Sequence, residues 1–323
     1  MIFGTVITAS HWPKAKLLAA SIRRSIPDAK IVICLVERTI PDELRGTDEI
    51  WLAKDLSNTG DFDKRIFRYK PFEACCSVKP LLLRELMIRF PEENHFVIID
   101  SDIQVFSPFK EIEDLLTKHP IILTPHHLNY KAPPWLYNYA LLYGIFNAGL
   151  IAANSSETSR RFAEWWIERT HRHAQFDIKK GLFAEQRWLN FCPVLFHAKP
   201  IKHPGYNVAS WNLHERNVSR SSQGEFMING EHLRCFHYHN HQELLKRCKE
   251  GEFNNNSTLL ELVNSYVTAL KNLNEVTRNQ WSYGYFENGE EINEETRKIY
   301  GKNIGYEKLP MSPFELSNNS FMI

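Results

Sequence analysis

Short, continuous apolar runs separated by helical stretches constrain this chain more than any other feature. Met1–Thr8 alternates into a β-rich run, Lys14–Ser25 carries Leu17, Leu18, Ala20 and Ile22 at helical spacing and stops before Pro27, and Lys30–Val36 is again apolar throughout. A strand with no polar face must be covered on both sides, and the β-α-β order implies a parallel sheet covered by helices. The chain is therefore expected to be α/β, a sheet flanked by helices, with a mainly helical C-terminal extension. Its 323 residues, 43% hydrophobic and 12% aromatic, suffice for a sizeable core.

The stretch His95–Phe106, HFVIIDSDIQVF, is the centre of the functional reading. Phe96–Ile99 reads as a buried strand that delivers Asp100, Ser101 and Asp102 at its carboxyl end, where open α/β sheets bind ligands. Two carboxylates this close repel each other unless a metal or a base intervenes, and they can share one hard cation. The pair predicts a metal and diphosphate site; the alternative is two turn aspartates that cap the next element. The first strand's exit, Thr8, Ala9 and Ser10, opens onto the same edge, and no Gly-x-Gly-x-x-Gly comes after it.

Further elements come in order along the chain. Glu49–Ala53 is a short strand and 57–70 a polar loop. Phe72–Phe90 reads as one helix that Pro80 kinks or starts, carrying Lys79 as a candidate phosphate base and Arg84 as a solvated charge. After the strand Pro120–Thr124, the segment His126–Gly144 is expected to be a loop whose aromatic residues, Trp135 among them, are either an acceptor wall or ordinary packing. Phe146–Ala153, FNAGLIAA, is a strand in which Gly149 permits close approach to the backbone or marks a bulge. Ser156 opens a helix to about His171, and Glu185 and Gln186 begin another helical segment. The loop 203–216, holding Asn207, Trp211 and His214, looks functional. His237, His239 and His241 recur at a spacing of two on a late strand, so they share a face, and one of them is expected as a ligand. A polar break at Asn254–Ser257 places a boundary near 250, dividing 1–250 from an extension over 251–323. In the extension Leu259–Leu273 is an amphipathic helix and the end from Ser312 is loosely held.

Composition removes several classes. A formal charge of +1 with dispersed basic residues gives no argument for nucleic acid. No apolar run reaches membrane-span length and no leader is evident, so a cytoplasmic protein with peripheral membrane contact at most is expected. Six cysteines without metal-finger spacing are expected to be reduced.

Taken together, ITAS, KPLLLREL, IIDSDIQVF, FNAGLIAAN, AEQRWLN and FHYHNH resemble, in this order, the retaining glycosyltransferases of the GT-A fold, the group of glycogenin and the bacterial lipopolysaccharide galactosyl- and glucosyltransferases. The resemblance covers roughly 1–242 and implies a GT-A-like, Rossmann-type mixed sheet flanked by helices. It implies a nucleotide-diphosphate-sugar donor, most simply a UDP-sugar, and a Mn²⁺ or Mg²⁺ ion held by Asp100, Asp102 and His237. Donor contacts are implied from Thr8, Ala9, Ser10, Lys79, Asp100, Ser101, Asn147 and Gly149. Gln186 is implied near the anomeric carbon, with Glu185 on the sugar hydroxyls. A glycan or lipid-linked acceptor would meet Trp135, Trp211 and His214. The chain departs from the pattern in three respects: Glu185 stands where the family commonly has Asp, no Gly and Lys-Pro-Trp come after His237, and PGYNVASWNLHER with the closing FENGEEIN to SPFE resembles a bacterial subgroup. Two other readings are open: a non-catalytic nucleotide-sugar or glycan-binding protein, which keeps every binding residue, and a Mg-dependent haloacid-dehalogenase-like phosphatase, which shares the Asp-x-Asp after an apolar strand but whose pattern Gln104 does not fit.

Overall fold

The computed structural model describes residues 1–44, 49–57, 60–273, 280–302, 304–309 and 312–321. Residues 58–59 of the polar loop and 322–323 of the chain end lie outside the described residues. Its main strands are β1 (Ile2–Ile7), β2 (Lys30–Leu35), β3 (Glu49–Leu52), β4 (His95–Ile99), β5 (Ile103–Val105), β6 (Ile121–Pro125) and β7 (Phe146–Asn154). Across the seven-stranded sheet the order is Lys199–Pro200, β6, β7, β4, β1, β2, β3. Only β7 runs against its neighbours, β4 and β6; the other pairings are parallel. This is the helix-covered α/β sheet that the apolar runs imply, and the antiparallel β7 makes it the mixed sheet that the resemblance implies.

Helices Pro71–Arg89 and Glu157–Arg172 cover one face, where Leu82, Phe96, Ile151, Phe162 and Trp166 are buried together. Helices Trp12–Ser25 and Lys110–Leu116 cover the other, through Leu18, Ile22, Ile112 and Leu116. Pro80 lies inside the Pro71–Arg89 helix rather than at its start. Ser156 caps the Glu157–Arg172 helix, its hydroxyl accepting from Ser159 N at 3.3 Å.

Two expectations are corrected. Residues 134–143 form a helix, not a loop, with Pro134 at its first position and only Leu136 buried. Its apolar residues lie all round the axis, so no helical stripe was visible in sequence. The chain end is not loosely held either: Phe314 and Phe321 are buried, with ring centroids 5.0 and 5.5 Å from that of Phe67. Beyond residue 250 the described residues form helices Ser257–Asn272 and Glu294–Lys302 with short 3-10 turns, in keeping with a mainly helical extension. All six cysteines are free thiols.

Candidate functional site

The site forms where β4 ends. Asp100 N donates to Gly149 O (2.8 Å) and Ile103 N to Asp100 O (3.1 Å), so a tight turn carries Asp100, Ser101 and Asp102 from β4 into β5. Strand β5 leaves the main sheet and pairs antiparallel with Cys235–His237, setting His237 opposite Ile103. That pairing brings a histidine 135 positions downstream onto the turn: His237 Nε2 lies 3.1 Å from Asp102 Oδ1. Burial works against the charged form of Asp102, yet His237 first and then Lys14 and His239 outweigh it and hold its pKa below the usual carboxylate range.

His239 joins this pair. One ligand atom from each of Asp102, His237 and His239 falls within 4.8 Å of the others, a spacing one ion can bridge. The tautomer of His237 fits a cation. Its Nδ1 faces Asn207 Oδ1 at 3.1 Å, while Asn207 Nδ2 donates to Asn147 Oδ1 (2.9 Å) and Thr124 Oγ1 (3.2 Å), which fixes the amide's orientation. A neutral ring therefore donates through Nδ1 and turns the lone pair of Nε2 toward a carboxylate oxygen. Two acceptors face each other unless a cation stands between them or the ring is protonated. His241 does not share this placement: it opens the helix His241–Lys249 and its ring lies 5.9 Å from Tyr266.

Asp100 is engaged elsewhere. Lys79 Nζ lies 2.6 Å from Asp100 Oδ1 and 2.6 Å from Glu185 Oε1, and donates to Ala148 O at 3.3 Å. Lys79 and Glu185 are both buried. Burial alone would discharge the ammonium, but the two carboxylates reverse the effect and hold Lys79 well above the usual lysine range. Lys79 is thus the base that keeps Asp100 and Glu185 from repelling each other. A cation that sequence reasoning missed, Lys14, stands 4.0 Å from Asp102 Oδ2. Its signal was its place just past the Thr8–Ser10 exit.

A chain of amides ties the remaining candidates together. Gln186 Oε1 accepts from Asn147 Nδ2 and Ala148 N, both at 3.0 Å, and Gln186 Nε2 donates to Tyr143 O at 2.8 Å. Asn147 Oδ1 in turn accepts from Gly149 N at 2.9 Å and from Asn207. Gly149 leaves room for this crossing: a Cβ there would stand 2.6 Å from both Asn147 Oδ1 and His237 Cε1. What approaches the glycine is a histidine, and the register against β6 also shifts here, between Leu123 and Thr124. Asn207, in the left-handed region at φ 50°, is the hub joining His237 to Asn147. Sequence reasoning placed it only in a functional-looking loop.

The β1 exit is fixed from behind. Ala9 N donates to Glu37 Oε1 at 3.0 Å, and the other oxygen of this buried carboxylate accepts from Ser282 N (2.8 Å) and Ser282 Oγ (2.5 Å). Thr8 is buried with its Oγ1 2.9 Å from Ser10 Oγ, and Ser101 is buried beside Asp100. Trp211 packs edge-on to His237, ring centroids 5.2 Å apart, and 6.0 Å from His239. His214 lies against His127 at 5.3 Å, and Trp135 is exposed, 5.8 Å from Tyr139. These three do not converge in the way the Asp102 and Lys79 clusters do.

No protein-family model matches the chain. Two uncharacterised proteins of Bacillus subtilis strain 168 are similar in sequence. YfnF is 23% identical over 174 residues, covering 51% of this chain and 56% of that protein. YfnD is 23% identical over 169 residues, covering 51% and 53%. The chain thus spans about half the length of the curated relatives it matches. Similar solved structures carry the names of sugar transferases. An active-site mutant of LgtC aligns at 15% identity over 74% of this chain and 87% of that one, with a TM-score of 0.42. The apo form of the glycosyltransferase GlyE of Streptococcus pneumoniae TIGR4 aligns at 15% identity over 64% and 46%, with a TM-score of 0.40. The bifunctional glycosyltransferase WbbM aligns at 14% identity over 66% and 40%, with a TM-score of 0.40.

Proposed function

We propose that the chain is a metal-dependent glycosyltransferase that moves a sugar from a nucleotide-diphosphate donor, a UDP-sugar first, to a glycan or lipid-linked acceptor with retention of anomeric configuration. The observation that carries this reading is the convergence of Asp102, His237 and His239 within one ion's reach, beside the buried Lys79 that joins Asp100 to Glu185. Mn²⁺ or Mg²⁺ held by Asp102 and His237, with Asp100 or His239 completing the set, supplies when bound the positive charge that a departing diphosphate requires.

The chain's own residues do the rest. Thr8, Ala9 and Ser10 receive the nucleotide side of the donor, kept in place by Glu37 behind Ala9. Lys79 orients Asp100 and presents Glu185, whose remaining oxygen holds sugar hydroxyls. Gln186 lies at the reacting carbon as a neutral amide, oriented by Asn147, Ala148 and Tyr143. An amide is a poor nucleophile, so the acceptor hydroxyl attacks from the side the diphosphate leaves, and a departing phosphate oxygen takes its proton. A paired-carboxylate hydrolase would instead need two acids flanking the bond. Residues 1–250 carry this site, and 251–323 are a helical extension that supports it.

A thermal-shift panel of UDP-, GDP-, CMP- and dTDP-sugars, each with Mn²⁺ and with chelator, tests the reading. One nucleotide class is expected to raise the Tm, and chelator to remove the rise. Asp102→Ala is expected to fold and to lose the chelator-sensitive part. No shift across the panel would overturn the proposal. Donor hydrolysis in Mn²⁺ separates an enzyme from a binding protein, and Gln186→Ala is expected to lower kcat far more than donor affinity. Release of phosphate from a simple phosphomonoester would favour a phosphatase instead.

A further inference from the structure

The helix Pro134–Tyr143, PWLYNYALLY, contains no charged residue, and of its ten side chains only Leu136 is buried. Tyr130 is 82% exposed, Trp135 57% and Leu141 69%, and Tyr137, Tyr139 and Ile145 are exposed as well. These residues form part of a continuous face. Ring contacts run from Trp135 to Tyr139, Tyr143, Phe183 and the exposed Phe176, at centroid distances of 5.8, 5.4, 4.8 and 4.4 Å. Asn190 Oδ1 accepts from Ile145 N at 2.9 Å, which brings in the segment just after Asn190, where Phe191, Val194 and Leu195 are exposed. An apolar surface of this extent on a folded protein marks an interaction site.

Charge selects the occupant. Across 127–145 Lys131 is the sole Asp, Glu, Lys or Arg, and across 173–199 the only carboxylates are Asp177 and Glu185. Lys180 pairs with Asp177 at 3.2 Å, and Glu185 is buried on Lys79. The carboxylates at the two ends of the face are occupied by backbone N–H groups: Glu215 by Leu128 and Asn129, Glu73 by Lys70 and Phe176. With Lys180 paired to Asp177, Lys131, Lys179 and Arg187 remain as basic residues bordering the face, against Glu73 and Glu215 at its two ends. Tyr and Trp beside Leu and Ile, rimmed by Lys and Arg, is the composition that settles at the headgroup level of an anionic bilayer.

We propose that this face docks the protein on the surface of an anionic phospholipid bilayer, with the 134–143 helix lying in the interface plane. Because Tyr143 O accepts from Gln186 Nε2, docking here brings the site to the membrane surface. The inference does not depend on the transferase reading, since binding to vesicles is measured without turnover.

Co-sedimentation of the full chain with phosphatidylglycerol–phosphatidylcholine vesicles, and with pure phosphatidylcholine vesicles, tests it. Binding to the anionic vesicles that weakens with salt is expected, with tenfold or more weaker partitioning for the double variant Leu141→Gln, Val194→Gln at unchanged Tm. Lys131→Glu with Lys179→Glu is expected to weaken binding to the anionic vesicles alone. Wild-type protein left in the supernatant, or variants that bind as well as wild type, would overturn the proposal. So would concentration-dependent dimerisation abolished by Leu141→Gln in protein that ignores vesicles, which would assign the face to a second copy of this chain.

Discussion

The polar floor of the site and the apolar face beside it meet at Tyr143, and they are held in opposite ways. In the floor each side chain is fixed by a partner from another part of the chain: Lys79 by Glu185, Asn147 by Gln186, His237 by Asn207. Removing one partner there strands a buried charge or amide, which costs more than the bond itself contributes. On the apolar face the exposed aromatic residues of the 134–143 helix make ring contacts with near neighbours, so truncating one leaves water where water already was. The floor is built for fixed geometry, while the face is free to change its surroundings. A site that must aim atoms needs the first kind of construction, and a docking surface tolerates the second.

Three experiments bear on that contrast, and a fourth is a control outside it. Lys79→Met leaves Asp100 and Glu185 close and uncompensated, and is expected to cost roughly 3–5 kcal/mol of stability by urea denaturation. A loss under about 1 kcal/mol would show that the floor is not charge-locked. Gly149→Ala forces a Cβ against Asn147 and His237 and is expected to cost roughly 1–3 kcal/mol. Because the displaced ring is His237, chelator-sensitive donor stabilisation should disappear even below the Tm. Retention of that stabilisation would remove His237 from the ligand set.

Outside both regions, His171 gives a pH control. Burial first, then the Arg65 guanidinium and Arg172, lower its pKa to about 4 against the opposing pull of Asp61. The unfolded chain binds this proton near pH 6.5 and the folded chain only near 4, so stability is expected to fall as pH drops through that window. The slope is at most ~1.4 kcal/mol per pH unit, and His171→Gln should flatten it in pH-dependent thermal melts. Leu141→Gln on the apolar face is expected to shift stability by no more than about 0.5 kcal/mol. A loss as large as that for Gly149→Ala would mean that the face is part of the core and not free.

Much of the site was legible in the sequence because strand ends announce themselves. The apolar run before Asp100 and the parity of His237 and His239 put their side chains on the sheet's ligand edge without further information. Parity stopped being a guide where the strand stopped: His239 stays in reach of Asp102, while His241 turns into a helix toward Tyr266. Lys79 was visible as a base near the site, but its two carboxylate partners lie on other elements. Asn207 had no signal beyond a polar loop, because its role is to fill the gap between His237 and Asn147.

Local chemistry, then, set the sheet, its helical covers, and the acidic turn at its edge, since the periodicity of apolar residues fixes which side of each element is buried. Tertiary structure alone decided which partner each buried charge took, which of three histidines faced Asp102, and that the chain end packs on Phe67. Those choices depend on distances between elements far apart in the chain. Sequence spacing carries no record of them until the sheet brings its strand ends together.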